Sequence, residues 1–323
     1  MRLWERQHAE VFYKPQNASF FARSPWLGWR KSSINKKEYV NLQLYFLKFV
    51  FMEINKLFNN KQHQIGVALS GGGAKGLCHA GSIKALEEFN IKPDIISGVS
   101  AGAIVAAFYA DGYTPDEIHE LFSDVKFRSW TSLTLPTVGI FNIEPFMRFL
   151  KKNLRAKRIE DLQIPIRIVA TNLDEGKSEV FTEGNLVERI AASCSVPILF
   201  EPRVINNKNY VDGGVFMNFP VRVIRNDCQN LIGINASPMA TNDYRRNIAG
   251  IAQRTYHFMF KANIIPDKNL CDLLIEPPSM ENYETFDAEK TEEIFNVGYT
   301  YTKNLIEHRL NEIARLNPLE VKG

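Results

Sequence analysis

Cysteine is scarce in this sequence: there are four in 323 residues, Cys78, Cys194, Cys228 and Cys271. No two are spaced C-x-x-C and no histidines stand at zinc-finger intervals from them, so they read as reduced core thiols, without a disulfide framework or a cysteine-based metal site. Net charge is nearly absent too. The 39 Lys and Arg against 36 Asp and Glu leave +3, which offers nucleic acid no basic surface of note. Long apolar runs are missing. The nearest approach, residues 39–51, is interrupted by Lys48 and falls short of the roughly 20 residues that a spanning helix needs. It also lies too far into the chain for a secretory signal. The expected location is therefore cytoplasmic, with membrane association at most peripheral.

What is present is a large apolar fraction, 45%, enough for a substantial core, and an uneven charge. Residues 1–61 carry 11 Lys and Arg against 4 Asp and Glu, so the body beyond them is mildly acidic. Residues 1–60 are expected to form a basic N-terminal extension with an apolar helix over about 41–58, whose polar stripe is only Asn41, Lys48 and Asn55. So apolar a helix must be covered by protein or by lipid. Either it packs on the body or it leans on an anionic membrane surface. Met52 is a plausible alternative start.

From residue 61 to 323 the chain alternates strand-like and helix-like runs. Strands are expected at 65–70, 94–99, 166–170, 179–182, 203–205 and 231–234, with helices at 74–90, 101–109, 116–122, 143–154 and 186–194. That order predicts an α/β domain with a mainly parallel sheet covered by helices.

Three short segments carry chemistry. Gly98-Val99-Ser100-Ala101-Gly102 is a G-x-S-x-G placed where a strand ends and a helix begins. Such a serine is held out on a tight elbow, and the flanking glycines remove side chains that would collide there. The plainer alternative is a helix N-cap serine among turn glycines. Upstream, Gly71-Gly72-Gly73-Ala74-Lys75-Gly76 follows another strand. Its bare amides suit an oxyanion or a phosphate. Gly71, Gly73 and Gly76 also spell the dinucleotide fingerprint, which would make this a nucleotide-binding enzyme. That reading wants an acid at the end of the next strand, but Asp94 begins it. A Walker A loop fits worse, since Gly76 follows Lys75. The third segment, Asp212-Gly213-Gly214, ends a β-like run. A triad would need one of His8, His63, His79, His119, His257 or His308; His79 falls in the helix after the glycine loop, where packing is its default role, and His257 and His308 lie in helix-like stretches without a turn or an acidic orienter beside them. An aspartate acting directly on the serine is the economical alternative.

In this order, the three segments resemble the patatin-like phospholipases, bacterial members especially. The likeness is close from about residue 65 to 223, includes Ala192 to Pro197 and Asp212 to Pro220, and is looser over 271–299. The resemblance implies a three-layer α/β/α sandwich and hydrolysis of lipid acyl esters by a serine esterase. It implies Ser100 as nucleophile, Asp212 as general base, and the backbone of Gly71, Gly72 and Gly73 as oxyanion hole, with no metal or cofactor. A lipid-binding module that has lost turnover remains the other alternative.

Overall fold

Residues His63–Leu69 form β1, and their alternation shows why this stretch is a strand. Val67 and Leu69 enter one buried cluster, with Ile83, Leu86 and Phe108, while Ala68 enters another, with Phe219, Ile224 and Leu231. A period of two that is apolar on both sides belongs to a strand covered on both faces. The computed structural model describes residues 61–123, 132–133, 141–238, 246, 248–285 and 289–316. The basic extension and the helix expected over 41–58 lie outside the described residues.

After β1 come β2 (Ile95–Val99), β3 (Ser132–Leu133), β4 (Phe141–Asn142), β5 (Ile166–Asn172) and β6 (Lys177–Phe181), then β7 (Arg203–Ile205), β8 (Lys208–Asp212), β9 (Cys228–Ile234) and β10 (Leu273–Ile275). The helices are α1 (Leu77–Glu88), α2 (Ala101–Ala110), α3 (Pro115–Ser123), α4 (Glu144–Asn153), α5 (Leu186–Cys194), α6 (Ile248–Lys268) and α7 (Thr291–Leu316). The main sheet runs β10-β9-β1-β2-β5-β8-β7, with β6 also on β5. Pairing is parallel from β10 through β5 and antiparallel from β5 to β6, β5 to β8 and β8 to β7. The expected layered α/β architecture is present, helices lying on both sides of a mostly parallel sheet.

Boundaries differ locally. The helix expected from residue 74 opens as a 3-10 turn, Gly73–Gly76, before α1 begins at Leu77. A glycine at φ +61 starts that turn. β9 begins three residues earlier than the apolar run, at Cys228. Among the described residues no helix is long and apolar enough to cross a membrane.

The packing that fixes the site is centred on α2. Phe108 is fully buried and meets Tyr113 and Phe122 edge-on, at centroid distances of 5.2 and 5.6 Å. Burying one such ring stabilises the fold by about 1.5–3 kcal/mol and anchors the C-terminal end of α2. At its other end stands Ser100.

Candidate active site

β2 delivers the chain to the elbow with all five residues buried. Ser100 then takes φ +51, ψ −121, a positive φ that costs free energy for any residue with a Cβ and persists only where the surroundings enforce it. The enforcement is visible. Its carbonyl accepts from the N–H of Ala103 at 2.9 Å and of Ile104 at 3.2 Å, starting α2. Its own N–H donates to Ser193 Oγ at 2.8 Å, and the buried Ser193 hydroxyl donates to the Val169 carbonyl at 2.6 Å. A Cβ on Gly98 would lie 2.6 Å from the Gly102 carbonyl group, and one on Gly102 would press on the carbonyls of Leu69 and Ser70. Both glycines of the motif are thus required by close backbone approach. The Ser100 side chain makes no capping bond to α2, so the plain N-cap alternative does not describe it. Its hydroxyl lies near enough to the Asp212 carboxyl to lower the pKa of that group.

Sheet register brings those two residues together. Val99, the last residue of β2, lies opposite Val169 of β5, and Asp212, the last of β8, lies opposite Ala170, the next residue along. A Cβ on Gly213 would stand 2.7 Å from Val99 Cγ2, so no side chain larger than hydrogen fits behind the acid. Asp212 is 1% exposed. Its N–H donates to the Ser195 carbonyl at 2.8 Å, and its Oδ1 accepts from the Gly214 N–H at 2.7 Å. Burial raises its pKa from 3.8 to about 6, against the opposing bonds from Gly214 and Ser100. Desolvation wins because a carboxylate loses more hydration than two hydrogen bonds restore. Cys194 lies beside the pair: burial and the Asp212 charge hold its thiol well above its ordinary range, against a smaller lowering by the neighbouring Ser100 side chain.

The glycine loop closes the third side. A Cβ on Gly71 would lie 3.4 Å from Ser100 Cβ, which puts the loop against the serine. The Gly71 N–H is committed to the Asn218 carbonyl at 3.0 Å. Of the three amides expected to form a cradle, that of Gly71 is thus bonded within the protein. The N–H groups of Gly72 and Gly73 meet no acceptor among the described residues. The loop is held from outside by Ala74 N–H donating to Thr285 O at 2.8 Å and by Ser237 Oγ donating to Gly71 O at 2.9 Å.

The histidine ring bonds lead elsewhere. His79 is fully buried with Nε2 2.8 Å from the Ser70 carbonyl, and burial lowers its pKa to about 4. His119 bonds Ser123 Oγ at 3.0 Å. His8 and the side chain of His257 lie outside the described residues. The nucleotide alternative also loses its supports. Asp94 accepts the N–H groups of Gln64 and Ile65 at the start of β1, the opposite end of the strand from the loop. Lys75 is buried with its Nζ donating to the Met280 carbonyl at 2.9 Å. Among the described residues no group of His, Cys, Asp and Glu is arranged to hold a metal.

The patatin-like phospholipase profile matches residues 67–225, a span that opens inside β1 and contains the glycine loop, the elbow and Asp212. A Bacillus subtilis protein of unassigned function, YqhO, is 31% identical over 55% of this chain and 73% of its own length. The chain belongs to the patatin-like phospholipase family. Further members are larger. Lysophospholipase NTE1 of Kluyveromyces lactis is 31% identical over 79% of this chain but 20% of itself, and the mouse patatin-like phospholipase domain-containing protein 6 is 26% identical over 74% and 20%. This patatin-like chain thus spans about a fifth of the length of those two relatives. Among solved structures, VipD from Legionella pneumophila superposes with a TM-score of 0.49 at 16% identity, over 76% of this chain and 67% of that one.

Three residues at this patatin-like site had no role assignable from sequence: Ser193, Cys194 and Asn218. Each lies inside a stretch similar to the family, yet its contacts reach across long separations, Ser193 to Ser100 over 93 residues. No local periodicity marks such a residue.

Proposed function

We propose that this chain hydrolyses acyl esters of lipids, as a phospholipase A or a lysophospholipase, with Ser100 as nucleophile, Asp212 as general base and the amides of Gly72 and Gly73 as oxyanion donors. The observation that carries this reading is the juxtaposition of Ser100, on a strained elbow at the end of β2, with the buried Asp212 at the end of β8, both held on adjacent positions of β5, where burial raises the carboxyl to about 6. A carboxylate of ordinary pKa is a weak base for a hydroxyl. Desolvation strengthens Asp212, so it remains ionised at neutral pH yet accepts a proton more readily than a solvated aspartate.

The steps follow from that pair. Ser100 Oγ attacks the ester carbonyl carbon as its proton passes to Asp212, and the carbonyl electron pair moves onto oxygen, facing the loop amides. Collapse expels the lipid alcohol, which takes the proton from Asp212 and leaves an acyl-enzyme. Water then attacks the acyl carbon and gives its proton to Asp212. The fatty acid departs as Ser100 recovers the proton. The names of the NTE1 relatives, lysophospholipases, agree with this substrate class.

Mass-spectrometric mapping of a fluorophosphonate adduct tests the assignment. An adduct on Ser100, lost in Ser100→Ala and accompanied by turnover of lysophospholipid or phospholipid, is the expected result. Labelling elsewhere, or a chain that binds lipid vesicles but turns over no ester, refutes it in favour of a lipid-binding module. The reading extends to residues 1–60 as a peripheral membrane contact, supported by their 10 Lys and Arg against 4 Asp and Glu. Salt-sensitive binding of the full chain to anionic vesicles, weakened by charge-neutral substitutions there, is the corresponding test.

A further inference from the structure

Asn218 presents an anomaly beside this site. It is 1% exposed, and both side-chain atoms, Nδ2 and Oδ1, lack a hydrogen-bond partner among the described residues. Its backbone is fixed from two directions: its carbonyl accepts the Gly71 N–H, and two residues on, the Pro220 carbonyl accepts from the buried Ser97 hydroxyl at 2.8 Å. The carboxamide is consequently held in one place. A Cβ on Gly71 would collide with Asn218 Oδ1 while lying 3.4 Å from Ser100 Cβ, and a Cβ on Gly214 would lie 2.8 Å from the same Oδ1. The carboxamide therefore fills the space between Gly71 and Gly214, where Ser100 and the N–H that Asp212 accepts also converge.

If this residue only filled space, leucine would fill it without stranding polar atoms, because an amide buried with no partner is penalised by its full desolvation. An unbonded amide at this position is explained by a group that arrives and bonds it. Exchanging Nδ2 and Oδ1 by a half-turn of the carboxamide leaves the shape unchanged, so a donor is available on the side that faces Gly71 and Ser100. We infer that Asn218 is a further catalytic residue whose Nδ2 donates to the substrate's carbonyl oxygen as that oxygen becomes an oxyanion, beside the amides of Gly72 and Gly73. This assignment rests on the hydrolase reading above. It accounts for the commitment of Gly71: the backbone carbonyl of Asn218 takes that amide, and its side chain supplies the replacement donor.

The test uses the full chain with Asn218→Leu, Asn218→Ala and the isosteric Asn218→Asp, a soluble butyrate ester of a coloured phenol, and a melting curve on each sample. Loss of one oxyanion donor lowers kcat by about 10²–10³-fold, with KM little changed and with the acid limb of the pH profile unmoved in Leu and Ala. The Leu variant melts no lower than the parent, since it removes an unbonded polar group. A purely structural asparagine would give the reverse, a lowered melting point with kcat per folded molecule intact, and that result overturns the assignment. So does kcat within about twofold of the parent, or a loss of activity that tracks loss of folded protein in all three variants. The parent is labelled with fluorophosphonate alongside. A parent that neither labels at Ser100 nor hydrolyses the ester refutes the hydrolase reading itself, whereas an active, labelled parent with active Asn218 variants refutes only the role of Asn218.

Discussion

Replacing Asp212 by asparagine should stabilise the protein at the pH where it abolishes activity. In the folded chain burial raises this carboxyl from 3.8 to about 6, whereas unfolding returns it to water and its ordinary value. Between those values the folded state binds more protons than the unfolded one, so stability falls as pH rises through the window and stays lowered above it. The displacement is about two units, and at about 1.36 kcal/mol per unit the penalty near pH 8 is roughly 3 kcal/mol. Asp212 is 1% exposed, so solvent does not screen this away. Asparagine keeps an acceptor for the Gly214 N–H and carries no charge. Denaturant melts of Asp212→Asn and its parent should differ by up to about 3 kcal/mol in favour of the variant at pH 8, with the difference vanishing near pH 4. On the proposal that Asp212 is the general base, turnover should drop by about 10²–10⁴-fold or more. A variant less stable than its parent at pH 8, or a difference independent of pH, would refute the idea that the site holds a carboxylate ionised against its surroundings.

The same carboxyl sets the pH profile: kcat/KM should fall tenfold per unit below about pH 6 as Asp212 protonates, and His79→Gln should leave that limb in place because His79 titrates near 4 and bonds Ser70. Gly73→Ala should cost about 1–3 kcal/mol of stability along with activity, because Gly73 sits at φ +61 against the Thr285 carbonyl. Gly72, with an extended φ of 169, should accept alanine with less loss of stability, and melting curves showing the opposite order would contradict the loop geometry. Arg222→Leu strands the fully buried Asp267, now paired through two bonds of 2.8 and 3.0 Å, and should destabilise by about 3–5 kcal/mol. Burial already raises Asp267, so the loss should shrink as the pH is lowered and protonation relieves the unpaired charge.

The local parts of the site were legible because their chemistry is local. Glycines two positions either side of Ser100, three in a row before Lys75, and the acid before Gly213-Gly214 each announce a turn at a strand end. The alternation of strands and helices likewise disclosed the parallel half of the sheet. Convergence was not legible. Nothing in the strand pattern says that β8 runs antiparallel to β5 or that Asp212 falls opposite Ala170, because register is decided by which faces bury against which helices. β10 escaped notice for a related reason: it is three residues long and only Ile275 is buried. Ser193 and Asn218 are small polar residues whose neighbours in sequence are ordinary core, and only three-dimensional proximity distinguishes them.

Consider what the shared anchor on β5 means for the order in which function emerges during folding. Val169 receives the end of β2 and Ala170 the end of β8, and the two contributing strands are separated by more than a hundred residues of chain. Before both have docked on β5, the aspartate is hydrated and ordinarily acidic, and the serine is free to relax from its positive φ. If the proposed dyad carries the reaction, a partly folded chain is chemically silent toward esters. On the proposed function, hydrolytic competence arises only when both strands have docked on β5, which makes turnover itself a sensitive reporter of whether the two halves of the sheet have joined in register.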